Sequence, residues 1–192
     1  MLWQEFTSGT SDMRPYIYLS DGGHFENLGL YELLRRRLGL IIVSDVSFDP
    51  EYKCDDFGRA IEKCRADFSY EIRIDLEAVR KQKARYSIGE IEYGEGRASG
   101  VLVYLKPLVR KGDPEDLWSY ELANTHFPHD STSNQWFLES QFEAYRVLGE
   151  VTGREVVAAL NNPATLAEIP ERLGHRVRSV WSGSGDPEAA AD

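Results

Sequence analysis

Cysteine is scarce in this chain: its 192 residues hold only Cys54 and Cys64. The two lie ten positions apart on one predicted helical stretch, too far along its axis to bond if that helix is continuous. Unpaired thiols fit a reducing compartment. Basic charge is also short, with 22 Lys and Arg against 32 Asp and Glu and a net charge of −10. That excludes a nucleic acid as partner, which would need a basic surface. It also excludes a broad electrostatic attraction to anionic lipid heads. An apolar or lipid substrate stays open, because pocket chemistry is local. No apolar run approaches the length of a membrane span. The N-terminus, Met1-Leu-Trp-Gln-Glu-Phe6, lacks the basic segment and apolar core of a signal peptide. A cytoplasmic location, or one peripheral to a membrane, is the expectation.

Several chemical signatures are missing too. His24, His126, His129 and His175 show no metal-ligand spacing on a helix, so neither a metal nor a cofactor is expected. The glycine-rich stretch Gly94-Glu-Gly-Arg-Ala-Ser-Gly100 lacks the Gly-Lys-Ser/Thr ending of a phosphate loop, and no helix comes after it. Ser8, Ser11, Ser99, Ser182 and Ser184 have glycines nearby, but none sits in a Gly-x-Ser-x-Gly nucleophile elbow. His126 and His129 flank Pro128 in a predicted loop and could reach other site residues only through the fold.

What is present points to one α/β domain. The length suits a single domain with a real core, and 42% hydrophobic residues is a globular composition. The chain is organised around residues 16–34. Tyr16-Ile-Tyr-Leu19 predicts a strand, Asp21-Gly22-Gly23 a turn, and Leu30, Tyr31, Leu34 and Leu38 give the stripe of a helix with one buried face. Asn27 is a reasonable N-cap, and Gly39 the expected C-terminal glycine. Arg35, Arg36 and Arg37 fall in the last turn, at the negative end of the helix dipole, and read as a solvated terminus.

Leu40-Ile-Ile-Val43 predicts a strand covered on both faces, parallel to the first. Both strands end in Ser-Asp, so parallel pairing would deliver Asp21 and Asp45 to one sheet edge, where α/β folds place chemistry. Asp21 is the leading catalytic candidate, with Gly22 and Gly23 as its supporting turn. His24, Asn27 and Asp45 are weaker candidates. The bland alternatives are that Asp-Gly-Gly is only a turn and that Asp45 only caps a strand end.

The remaining elements rest on periodicity. Phe57, Ala60, Ile61, Cys64 and Phe68 predict a helix capped by Asp55 or Asp56, with Cys64 as core. Residues 70–74 alternate as a half-exposed strand. Residues 75–85 read as a short helix or exposed loop, with Lys81, Lys83 and Arg85 as a solvated face or, alternatively, a lipid-head or partner patch. A β-hairpin is expected near 86–108, its second strand ending at Pro107 or lying at an edge. A short helix is expected over 115–123. Thr132 with Gln135 predicts a capping box for a helix that buries Phe137, Leu138, Phe142, Tyr145 and Leu148 and stops near Gly149, before another over 152–160. From 161 the chain is mixed, and 182–192 reads as a disordered tail.

The segment Tyr18-Leu-Ser-Asp21-Gly-Gly-His-Phe-Glu-Asn-Leu-Gly-Leu-Tyr-Glu-Leu-Leu-Arg-Arg-Arg37 resembles the aspartate motif of patatin-like and cytosolic phospholipase A2-like acyl hydrolases, above all the bacterial members. The likeness runs on through Leu40-Ile-Ile-Val-Ser-Asp45 and weakly through Asp55, Phe57 and Gly58. It resumes at Phe127-Pro-His-Asp-Ser-Thr-Ser-Asn-Gln-Trp-Phe137 and at Gln141-Phe-Glu-Ala-Tyr-Arg-Val-Leu-Gly149, so it covers roughly 15–150. It implies the C-terminal portion of a three-layer α/β/α domain, with 1–14 a loop and 15–160 the C-terminal half of the catalytic domain. It also implies a serine-aspartate dyad in which Asp21 is the general base, acting on a lipid or ester substrate. The dyad serine on its elbow and the oxyanion loop are absent from these 192 residues. The expectation is therefore a truncated or fragmentary catalytic domain, poorly soluble alone or associated with an upstream, nucleophile-bearing half. A non-catalytic remnant or interaction domain is the alternative.

Overall fold

The computed structural model describes residues 21–94, 100–131, 133–160 and 168. Its centre is a mixed sheet of four strands: β1 (Leu40–Ser44), β2 (Glu71–Arg73), β3 (Tyr86–Glu92) and β4 (Gly100–Leu105). They lie in the order β1-β4-β3-β2. β4 runs parallel to β1 and antiparallel to β3, and β2 closes the far side antiparallel to β3. Among the described residues there are five α-helices: α1 (Leu30–Arg35), α2 (Asp55–Phe68), α3 (Glu77–Arg80), α4 (Glu115–Ala123) and α5 (Glu139–Ala159).

β4 explains the layering. Its side chains alternate, and both sets are buried. Leu102 and Tyr104 join Ile41, Val43, Ile72 and Ile91 in the core formed with α1, α2 and α3. Val101 and Val103 pack on the opposite face with Val156 and Leu160 at the end of α5. A strand buried on both sides needs an unbroken apolar sequence, and Val101-Leu-Val-Tyr-Leu105 supplies it. A third cluster, with Leu117, Phe127, Ala144 and Leu148, ties α4 to the first half of α5.

The hairpin, the short strand after residue 70 and the helix over 115–123 lie where the sequence puts them. Other expectations change. Ile42 is 46% exposed, so β1 is not covered on both faces; the cluster under α5 reaches Leu40 but not Ile42. α1 is entered through Gly29 rather than Asn27, with the Glu26 carboxylate accepting from the backbone N–H groups of Leu28 (2.5 Å) and Tyr31 (3.3 Å). Arg37, at φ 55°, makes the left-handed turn expected of Gly39. Arg35, Arg36 and Arg37 are exposed, as a solvated terminus requires, and Arg35 and Arg36 also bond Glu32, which holds its carboxyl down at about 2. At the start of α2, neither Asp55 nor Asp56 is the cap. The Asp49 carboxylate accepts from the backbone N–H groups of Lys53 and Cys54, both at 2.9 Å. Cys54 and Cys64 are both free and buried.

Arg85 leaves the expected basic surface patch and is fully buried. It donates to the Leu108 carbonyl (2.6 Å), to Glu155 (2.6 Å) and to Asp113, pinning the start of β3 to α5. α5 is one helix where two were expected. Gly149 costs about 1 kcal/mol relative to alanine, but Leu148, Thr152 and Val156 continue one buried face across it. The helix also begins later than expected, and the first half of its buried face is Gln141, Ala144, Val147 and Leu148. Phe137, Leu138 and Phe142 are exposed, along with Trp136.

The expected strand at 16–19, Thr132 of the expected capping box and the segment from 161, apart from residue 168, lie outside the described residues. No helix among the described residues is long and apolar enough to cross a membrane.

Candidate functional site

Asp21 stands at the head of a 3-10 turn formed by Gly22–His24. Its backbone is still extended, at φ −60° and ψ 130°, and its carboxylate Oδ1 accepts from the Gly23 N–H at 2.9 Å. The Asp21 carbonyl accepts from the His24 N–H (3.1 Å), and the Gly22 carbonyl from those of Phe25 and Glu26 (both 2.9 Å). The carboxylate therefore sits on an ordered turn, in an exposed position. Local bonding of this kind is what an Asp at a turn or cap provides.

Neither glycine takes a left-handed backbone, so conformational freedom is not the reason for the pair. Space explains Gly23. A Cβ there would lie 2.6 Å from Asn27 Oδ1, whereas at Gly22 it would meet nothing within 4 Å. Asn27 has a different task from the expected N-cap. Its Oδ1 closes over Gly23, and its Nδ2 donates to Asp56 of α2 at 3.4 Å. Asp56 is bonded in turn to Arg59. The Asp21 turn is thus tied to the first turn of α2.

A cleft of about 190 Å³ opens between the turn and α2, lined by Gly23, His24, Asn27, Asp56, Arg59 and Lys63, among others. Lys63 bonds the Phe25 carbonyl, and its ammonium lies 4.2 Å from the Phe25 ring centre. Phe25 meets Tyr31 edge-on at 4.8 Å, and Tyr31 donates to Asp67 at 2.8 Å. His24 is exposed on the turn.

Asp45 has a different environment. It is fully buried beside the equally buried Lys106, with Nζ to Oδ1 at 3.2 Å. Its Oδ2 accepts from the Tyr104 hydroxyl (2.6 Å), and its Oδ1 from the Ser47 hydroxyl (2.6 Å) and N–H (3.0 Å). Lys106 also reaches Asp49 at 3.2 Å. Burial pushes the Asp45 carboxyl up, but the bonds from Ser47 and Tyr104 and the Lys106 charge outweigh it and hold the group below its ordinary value. Both its oxygens are engaged inside the protein, which makes it a structural ion pair and not a group presented to substrate. The register that would set Asp21 beside it rests on 16–19, outside the described residues.

Lys106, Tyr104 and Ser47 escaped the reading of the sequence. A signal for Lys106 was there, since it is a cation between Leu105 and Pro107 at the end of an apolar strand. Aligning the two strands as a parallel pair, with Ser44 opposite Leu105, carries Asp45 to Lys106. His129 goes to the same region. Its ring meets Tyr52 at 4.8 Å and makes no hydrogen bond to Asp21. Among the described residues no group of three or more His, Cys, Asp or Glu side chains could hold a metal ion.

Comparison with family models, with curated proteins and with solved structures finds no match to this chain.

Proposed function

We propose that this chain carries the aspartate of a serine-aspartate dyad in a lipid acyl hydrolase of the patatin-like type, as the C-terminal part of a three-layer α/β/α catalytic domain. The observation that carries the reading is Asp21 itself: an exposed carboxylate on a bonded Asp-Gly-Gly turn, inside the long motif of residues 18–37. In that role Asp21 takes the proton of a serine hydroxyl as its oxygen attacks an ester carbonyl and gives it to the departing alcohol as the ester C–O bond breaks; it then takes a proton from the water that attacks the acyl-serine and returns it to the serine oxygen as the acid leaves. Gly23 leaves room for the Asn27 side chain, and Asn27 braces the turn against α2. Asp45 and Lys106 hold the end of β1 rigid and take no part in the chemistry.

The serine belongs to a Gly-x-Ser-x-Gly elbow supplied by a segment outside these 192 residues. The exposed Ile42, Val46 and Phe48 on β1 and the loop after it support such a neighbour, since exposed apolar surface of this kind favours association. The test joins the chain to its nucleophile-bearing half and measures hydrolysis of a short-chain aryl ester. Activity should require both halves and should fall to background with Asp21→Asn. Hydrolysis left intact by Asp21→Asn would remove the catalytic role. Activity from this chain alone would remove the divided-domain reading.

A second reading, a non-catalytic interaction domain, draws support from the exposed Trp136, Phe137, Leu138 and Phe142 before and within the first turn of α5. It predicts that the joined protein is inactive but still binds through that surface.

A further inference from the structure

His129 is only 6% exposed, yet neither of its ring nitrogens has a hydrogen-bond partner among the described residues. It lies edge-on to Tyr52, which is itself buried and donates to the Pro107 carbonyl at 3.0 Å. A neutral imidazole there leaves one N–H donor unmet, at a cost of about 1–3 kcal/mol. An imidazolium would leave two donors unmet and bury a charge as well, which costs more.

The groups around it offer that charge the Ser47 backbone but no free carboxylate. From the loop after β1 come Asp45, the Ser47 backbone and Asp49, and from the end of β4 comes Lys106, which lies 3.2 Å from each of those carboxylates. Asp45 is further occupied by Ser47 and Tyr104, and Asp49 by the backbone of Lys53 and Cys54. On His129's own segment, Asp130 accepts from the Tyr145 hydroxyl at 2.9 Å, and His126 contributes its carbonyl to the His129 N–H at 2.6 Å. Burial and the Lys106 charge lower the proton affinity of the ring, and the Ser47 backbone, Asp49 and Asp45 offset this only in part.

The segment carrying His129 is attached on two sides. Phe127 and the Asp130–Tyr145 bond hold it to α4 and α5. His129 alone among these three seats it on Tyr52 and the Asp45–Lys106 network. We propose that His129 is an acid-sensitive latch: as a neutral ring it closes the α4–α5 layer onto the loop after β1, and its protonation lifts the 124–131 segment off that loop.

Linkage sets the sign. A histidine whose affinity is depressed in the folded state leaves stability unchanged above its unfolded value of about 6.5 and removes stability as pH falls below it. The experiment is urea denaturation from pH 8 to 5 of the wild-type chain and of His129→Phe, which fills the ring site without titrating. The folded-to-unfolded ratio of the wild type should fall by up to about tenfold per pH unit relative to the variant below about pH 6.5. Parallel pH profiles would overturn the proposal. Should the variant not fold, the imidazole titration of the wild type decides by NMR. A midpoint below about 6.5 supports the latch, and one at or above it sinks it. Hydrogen exchange locates the opening. Between pH 7 and 5.5, corrected for intrinsic rates, amides of 126–130 should lose protection before those of α2. Uniform loss, or none, would mean that no latch opens there.

Discussion

Replacing Lys106 with methionine should destabilise the protein through the charges it strands. The lysine and Asp45 are both fully buried, 3.2 Å apart, and Lys106 also neutralises Asp49, whose side chain is 12% exposed. Methionine keeps most of the apolar stem and removes only the cation. Breaking a buried pair by deleting one partner costs about 3–5 kcal/mol, because the other charge stays behind. Asp45 keeps three donors, from the Ser47 N–H, the Ser47 hydroxyl and the Tyr104 hydroxyl, which places the cost near the low end, about 3 kcal/mol. At this chain length that corresponds to a melting temperature lower by roughly 6–12 °C.

The pH dependence separates this cause from a simple packing defect. In the wild type the Asp45 carboxyl is held below its ordinary value, so its contribution is complete above about pH 3.9 and is lost as pH falls through the folded value. Without Lys106 the push from burial loses its main opposing charge, and the carboxyl rises. The folded variant then binds the proton more readily than the unfolded chain, so its deficit against wild type should narrow from pH 7 to 4.5. Adding Asp45→Asn removes the stranded charge and should recover part of the loss. Urea denaturation followed by circular dichroism measures all three proteins. A Lys106→Met variant within about 0.5 kcal/mol of wild type, or a deficit that does not change with pH, would refute the reasoning.

Other positions give sharper contrasts. Gly89→Ala should cost about 1–3 kcal/mol, because its Cβ would lie 2.7 Å from the Arg73 carbonyl oxygen and from Ile74 Cβ, and a β2 backbone cannot swing aside. Gly23→Ala collides with the Asn27 side chain and makes only an ordinary contact with Asp21 Oδ1 at 3.4 Å, so its cost should be smaller and should largely vanish in the double variant with Asn27→Ala; thermal melts of the set measure the coupling. Leu148→Ala should cost about 2–5 kcal/mol by denaturant titration, while Phe142→Ser, at an exposed position of the same helix, should leave stability within about 0.5 kcal/mol and raise the soluble fraction. Arg85→Lys should lose about 2 kcal/mol or more, since an ammonium cannot reproduce the fork to Leu108, Glu155 and Asp113.

The sheet and most of the helices were legible because their signal is local. An apolar run of strand length, two runs across a glycine-rich loop and a stripe ending in Cys64 each specify an element with little help from elsewhere. The failures share a cause in tertiary context. Gly149 reads as a stop until the buried face on either side of it is seen to be continuous. Phe142 reads as core because it is aromatic and in register, yet α5 turns Gln141 and Ala144 inward. Arg85 reads as surface because its neighbours are charged, and only the fold brings Leu108, Asp113 and Glu155 around it.

The two Ser-Asp sequences carry the same lesson to the candidate site. Ser20-Asp21 and Ser44-Asp45 are alike in sequence, and each comes after a run of β-forming residues. The residues C-terminal to each aspartate separate them. After Asp45 the chain returns Ser47 to the carboxylate, and β4 brings Tyr104 and Lys106 to meet it, so both oxygens are claimed and the group is sealed from solvent. After Asp21 come two residues without side chains and a turn that bonds Oδ1 through Gly23 while leaving the residue exposed. A carboxylate that is to accept a proton from an incoming group must be reachable from solvent, and of the two only Asp21 is exposed. Asp45 is better understood as the anchor of the strand end, which is why Lys106→Met should cost stability while Asp21→Asn should abolish the hydrolysis of the joined protein.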